Sequence, residues 1–217
     1  MKTHLFLLFR VILASFLRLY LIDVLMRFIW DEGRDMIAIR NIIVNQDITL
    51  FGPFNEIGGS KDFFGVFHYY LMLPALWLAN FDPIGPAIFT AILGIAAVAL
   101  TYIWAKNWLS ETSAFIISCF LAISPLVVKY TQWPWNPHTT GFFGIIYLLS
   151  LQAWQKKPSF KLSLASGLLL GLLFQLHYFT VALGVAALFV IWWQPKMQFK
   201  SKFLNRQLQR LDLCCPT

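Results

Sequence analysis

Residues Ile84–Ala105, IGPAIFTAILGIAAVALTYIWA, run for 22 residues without a charged side chain. As a helix this stretch is ~33 Å long at ~1.5 Å per residue, enough to cross a hydrocarbon core of ~30 Å. Five more apolar runs surround it: Leu5–Leu25, Phe63–Phe81, Thr112–Val128, Thr139–Trp154 and Leu162–Trp193. Only 12% of the residues are charged, against ~25% in ordinary soluble domains. Such a chain has too little polar surface to cover itself in water, so its solvent is lipid. The expected fold class is an all-α membrane protein. It is expected to sit in the membrane as a multi-pass protein.

The number of crossings follows from charge. Leu162–Trp193 holds 32 residues, ~48 Å as one helix, so it is expected to break into two short helices near Leu176-His177-Tyr178. Seven runs would then be available, but letting all seven cross from a cytoplasmic N-terminus puts most basic residues outside. That violates the preference of Lys and Arg for the cytoplasmic side. If Phe63–Phe81 instead lies along the membrane surface, ten basic residues fall inside and five outside. The run suits that position, because it carries His68, Pro74 and seven aromatic residues, and aromatic rings favour the headgroup level. About six transmembrane helices are therefore expected, with an outer loop over residues 26–82 that carries surface helices. An inverted seven-span arrangement also satisfies the charge count, but places the acidic stretch Met26–Asp62 in the cytoplasm. Residues 1–193 are expected to form the membrane module and residues 194–217 a basic cytoplasmic tail.

Several function classes are excluded or left without support. The net charge of +7 does not indicate nucleic-acid binding, since the basic residues stand between apolar runs and in the tail, where they orient the chain. Cys119 lies within an apolar run as a packing residue, and Cys214 and Cys215 are neighbours in the tail. No disulfide framework or metal-ligand spacing is present. The first apolar run lacks a small-residue cleavage site and reads as a retained helix. No cofactor is evident, and no ligand set demands a divalent metal.

Three polar clusters gather on the expected outer face. The first is Trp30-Asp31-Glu32-Gly33-Arg34-Asp35. It reads either as helix capping, with Asp31 as N-cap and Glu32 and Asp35 in the first turn, or as a site where Asp31 accepts a proton from a hydroxyl. On a helix, Asp31 and Asp35 share a face, with Arg34 beside Asp31. The second is Lys129-Tyr130-Thr131-Gln132-Trp133-Pro134-Trp135-Asn136-Pro137-His138, where two prolines forbid a regular helix. An interfacial aromatic turn accounts for it, and so does sugar recognition by Trp135, Asn136 and His138. The third is Gln175, His177 and Tyr178 at the joint of the last run, where unsatisfied polar groups are costly and often functional. Arg10 is expected to reach the cytoplasmic surface along its stem, and Arg18 to face the bundle interior or an aqueous cavity.

The ordered set of Trp30–Asp35, Gly52-Pro53, Gly65 with Tyr69-Tyr70, Asp82-Pro83, Ser124-Pro125, Trp135-Asn136-Pro137 and Gly167 to Gly171 followed by Gln175–Tyr178 resembles the GT-C glycosyltransferases. More narrowly, it is similar to the bacterial branch of the protein O-mannosyltransferase and aminoarabinose-transferase superfamily. The resemblance implies a polyprenyl-phosphate-linked sugar donor and an inverting transfer to an acceptor on the outer face of the bacterial inner membrane. Asp31 would be the catalytic base. Arg34, Lys61 and Lys129 would be cations for the leaving phosphate, with Glu32, Tyr69, Trp135, Asn136, His138, Gln175, His177 and Tyr178 lining the substrate site. Such enzymes continue through further crossings, so the chain is expected to correspond to an N-terminal half. The competing class is a non-catalytic membrane protein or transporter subunit that binds a lipid or a small polar ligand. It would use Arg18 and His177 along a path through the membrane.

Overall fold

A computed structural model describes residues 2–57, 60–189 and 191–192. The expected tail, 194–217, lies outside the described residues. The chain forms α1 (Lys2–Leu19), the short α2 (Ile22–Leu25) and α3 (Trp30–Val44). A two-stranded antiparallel hairpin follows, β1 (Phe54–Ile57) and β2 (Ser60–Phe63). Then come α4 (Phe67–Leu78), α5 (Ile84–Lys106), α6 (Glu111–Ile123), α7 (Pro125–Tyr130), a 3₁₀ turn at Asn136–Thr139, α8 (Thr140–Lys156) and α9 (Phe160–Leu176). The last, α10 (Tyr178–Phe189), opens in a 3₁₀ turn. The architecture is helical, as expected, and the hairpin is an addition between α3 and α4 that apolar periodicity does not reveal.

Helix α5 is the centre, packing against α1, α4, α6 and α8. Among the described residues it alone is both long and apolar enough to cross a membrane unaided. Helix α1 has 18 residues but carries Lys2, Arg10 and Arg18. Several contacts in the body are made by small residues: Ala14, Ala87, Ala91, Ala105, Ala114 and Ala122 are all fully buried. Small side chains let helix backbones approach closely, which is how helices associate where lipid removes any hydrophobic drive. Phe16, Phe120, Leu168 and Phe189 point outward, each more than half exposed. This outer surface suits hydrocarbon and not water.

Local chemistry sets the boundaries. Ser110 and Ser159 cap α6 and α9, each hydroxyl accepting a backbone N–H from three residues on, Ser113 and Leu162. At the start of α5, the Asp82 carboxylate accepts from Ile84 N at 2.9 Å. Gly85 lets α4 pass there, since a Cβ would lie 2.3 Å from the Ala75 carbonyl oxygen.

The run Thr112–Val128 is not one helix. Pro125 supplies no N–H, so α6 stops at Ile123 and leaves its last carbonyls without helical partners. Arg18 fills that deficit: Nη1 donates to Ala122 O at 3.0 Å and Nη2 to Leu121 O at 3.2 Å. Gln132 returns the favour to α1, its Nε2 donating to Arg18 O at 3.1 Å. Arg18 thus faces the bundle interior, one of the two expected positions. Arg10 departs from expectation: it is buried, donates to Ser118 Oγ and lies 4.0 Å from the centroid of the Tyr102 ring. A partner within reach makes burial cheaper here than extension to the surface.

Candidate active site

Helix α3 starts after Ile29, whose extended backbone makes it the N-cap residue. The capping carboxylate is Glu32, not Asp31: Glu32 Oε2 accepts from Ile29 N at 2.8 Å. Its Oε1 accepts from the indole Nε1–H of Trp133, so the fully buried Glu32 has both oxygens engaged. This bond fastens the start of α3 to the aromatic turn between α7 and α8.

Two positions on, the guanidinium of Arg34 bridges two carboxylates. Its Nη1 donates to Asp31 Oδ1 at 3.1 Å and Nε donates to Asp35 Oδ1 at 2.9 Å. A third bond, Nη1 to Phe54 O at 2.8 Å, ties the cluster to the hairpin. Asp35 is fully buried and also accepts from Tyr69 OH at 3.3 Å. Burial raises its carboxyl to about 7, although Arg34 and the Tyr69 hydroxyl pull it down. Tyr69 is itself raised well above the ordinary phenol range by burial and the Asp35 charge. Asp31 differs from both neighbours in keeping about one-third of its side chain exposed.

The aromatic turn is packed around a histidine. The His138 ring stacks on Tyr130 at 4.8 Å and meets Trp133 and Trp135 edge-on at 4.7 and 5.3 Å. Its Nδ1 is 3.0 Å from Trp133 O. Burial lowers the imidazole to about 4, so it is neutral at ordinary pH. Trp135 is half-buried and stacks on Trp133 at 5.2 Å. The buried Asn136 donates to Leu176 O at 2.7 Å, the last carbonyl of α9.

That bond reaches the third cluster. The long run breaks at His177, which is extended between α9 and α10. The side chain of Gln175 accepts from Phe67 N at 3.3 Å, and its backbone carbonyl accepts from Gly65 N at 3.0 Å. Two glycines make this approach possible. A Cβ on Gly65 would lie 2.3 Å from Gln175 Cβ, and one on Gly52 would lie 2.1 Å from Gly65 O. His177 and Tyr178 pack on Phe64, at 5.2 and 5.6 Å between ring centroids.

The three clusters therefore form one closed chain of contacts. The links are α3 to the aromatic turn through Glu32 and Trp133, the turn to the joint through Asn136, the joint to α4 through Gln175, and α4 back to α3 through Tyr69. Of the three cations, only Arg34 is placed in this ring by its contacts. Lys129 is exposed on the last turn of α7. Lys61 pairs with Glu56 in the hairpin register, and its side chain lies outside what is described. Sequence reasoning did not give Asp35, His68 and Trp133 a place in the site. The available signal was the four-residue spacing from Asp31 to Asp35 and a single histidine in an otherwise apolar helix.

A helical membrane body of this kind belongs to the GT-C type of glycosyltransferase, as comparison of the sequence with family models shows. Residues 66–207, well over half of the chain, match the model of the dolichyl-phosphate-mannose-protein mannosyltransferase family, and the chain belongs to that family. The match takes in α4, the aromatic turn and the α9–α10 joint, and begins after α3. No curated protein and no solved structure matches the chain.

Proposed function

We propose that the protein transfers a sugar from a polyprenyl-phosphate-linked donor to an acceptor hydroxyl on the outer face of the membrane, with Asp31 as general base. The observation that carries this reading is the contrast among the three carboxylates that open the outer loop. Glu32 and Asp35 are 0% exposed and engaged in the scaffold, whereas Asp31 keeps 33% of its side chain open. A base must reach the proton it removes. Asp31 alone of the three combines an open side with a fixed position, set by Arg34.

The step itself follows from this geometry. Asp31 takes the acceptor proton as the acceptor oxygen attacks the anomeric carbon, and the bond to the lipid phosphate breaks. Negative charge grows on the departing phosphate and is stabilised by nearby cations; Arg34 is the placed candidate, and Lys61 and Lys129 are the further ones. The rings of Trp135 and His138 offer faces for a sugar, and Tyr69, Asn136, Gln175, His177 and Tyr178 hold the walls in position. The six-crossing topology, with both termini cytoplasmic and α4 on the outer surface, puts this ring at the face where such a donor would meet its acceptor. The membrane module over residues 1–193 with a separate tail belongs to the same reading.

The transporter alternative drew on Arg18 and His177. Arg18 is committed to the carbonyls of α6, and His177 to a stack of aromatic rings, so both residues that reading relied on serve the scaffold. The experiment is to incubate membranes carrying the protein with polyprenyl-phosphate-linked hexoses and pentoses and follow release of polyprenyl phosphate. Release above that of empty membranes supports transfer. None with any donor, from correctly inserted protein, contradicts it.

A further inference from the structure

Helix α4 carries a histidine that the proposed reaction leaves unused. His68 is fully buried, and neither of its ring nitrogens has a hydrogen-bond partner among the described residues. It faces Asp35, whose Oδ2 is equally buried and unpartnered. The two orphaned atoms look at each other, Nε2 to Oδ2, across 3.7 Å. The groups facing His68 are Arg34 and Asp35 from α3, Tyr69 on its own helix and the neutral His138 from the aromatic turn, while Asp31 acts on the cluster through Asp35. Arg34 compensates Asp35 through Oδ1, and Asp31 is open on one side, so what stays unsatisfied inside the cluster is Asp35 Oδ2 and the two His68 ring nitrogens. Two of its members have no exposed surface at all. Burying polar atoms without partners is costly, and a single proton between Asp35 Oδ2 and His68 Nε2 satisfies one on each side.

We propose that Asp35 and His68 hold one proton between them, carried on Asp35 Oδ2 and donated towards His68 Nε2. By taking up or releasing it, they set how much of the Arg34 charge is left for Asp31. A small side-chain rotation closes the gap to hydrogen-bond distance, ~2.7 Å. The direction of donation follows from burial. Burial lifts the Asp35 carboxyl to about 7, while burial and the Arg34 charge lower His68 to about 3. The carboxyl therefore holds the proton and the imidazole accepts. When Asp35 is neutral, the charge of Arg34 is paired to Asp31 alone. When Asp35 ionises, the guanidinium charge is shared between the two carboxylates. This consequence for Asp31 rests on its proposed role as base; the shared proton does not.

The test uses the full chain in lipid nanodiscs. Infrared spectra should show the carbonyl stretch of a protonated carboxyl group that fades as pH rises through neutrality and is missing in Asp35→Asn. In His68→Phe the band should move to higher frequency, because its acceptor is gone. Should Asp35→Asn fail to insert, ¹⁵N-histidine NMR of the wild type decides: His68 Nε2 should be unprotonated and accepting at neutral pH. No such band at mildly acidic pH, a band unmoved in His68→Phe, or a proton on Nε2 would overturn the proposal. A band present while Asp31→Asn keeps its turnover leaves the shared proton standing and removes Asp31 as base. The absence of the band, with turnover lost in Asp31→Asn, does the reverse.

Discussion

Asp31 and Asp35 hold the same guanidinium, Arg34, from two sides, yet one is a third exposed and the other fully buried. They lie one helical turn apart on one face of α3: Asp31, in the first turn, stays open, whereas Asp35, a turn further in, packs against Tyr69 of α4. Equal chemistry in unequal surroundings sets the two carboxylates apart: Asp35 is fixed against Arg34 and Tyr69, and Asp31 keeps the open side that the proposed base requires.

The Glu32–Trp133 bond predicts that Glu32→Gln is not a mild change. An amide that accepts from the Trp133 indole turns its NH₂ towards Ile29 N, and flipping it creates the same conflict at the indole. Leaving a buried donor unsatisfied costs ~1–3 kcal/mol. Thermal unfolding in detergent should show Glu32→Gln and Trp133→Phe each lowering Tm, and the double variant falling less than the sum of the two. Additive losses would mean that the two side chains act independently.

Arg18 predicts a second structural dependence. Arg18→Met keeps the length of the side chain but leaves the Leu121 and Ala122 carbonyls bare at the Pro125 break. A loss of ~1–3 kcal/mol should follow, larger than for Arg18→Lys, which can still reach one carbonyl. Equal stability of Arg18→Met and wild type would show that those carbonyls find other partners.

His138 makes stability depend on acid. Its folded value, about 4, lies below the ordinary 6.5, so the unfolded chain binds the proton more readily. The contribution of His138 is complete above pH 6.5 and is lost as pH falls from there through 4. Between those values wild type should lose stability relative to His138→Phe, by up to a few kcal/mol. Parallel profiles for the two proteins would mean that His138 is open to water.

The six-crossing topology predicts opposite labelling of two exposed positions. In a background free of native cysteines, Asp47→Cys should react with a membrane-impermeant maleimide from outside, and Lys157→Cys only after the membrane is opened. Reaction of both from the same side removes the topology.

Much of this was legible in the sequence because it depends on one residue type or one length. A 32-residue apolar run must break in a bilayer, and the break falls at His177. Prolines at 134 and 137 forbid a helix, and the turn there is irregular. Asp31 meets Arg34 because positions three apart on a helix are neighbours. What escaped depends on partners distant in sequence. Asp31 and Glu32 are equally good capping residues by spacing, and only the indole of Trp133, 101 residues away, commits Glu32 to the scaffold. Arg10 turns inward because Ser118 and Tyr102 await it. The hairpin at 54–63 has too few residues to show a period, and its placement rests on close backbone approaches at Gly52 and Gly65.

The central claim is tested most directly by the turnover of Asp31→Asn against wild type, with Asp47→Asn, an exposed loop carboxylate, as the control. The amide keeps an oxygen for Arg34 and should leave folding and insertion intact, but it cannot accept a proton. Polyprenyl-phosphate release should fall by ~10²–10⁴-fold in Asp31→Asn and stay at the wild-type level in Asp47→Asn. Turnover of Asp31→Asn within a few-fold of wild type would contradict the account and remove Asp31 from the chemistry.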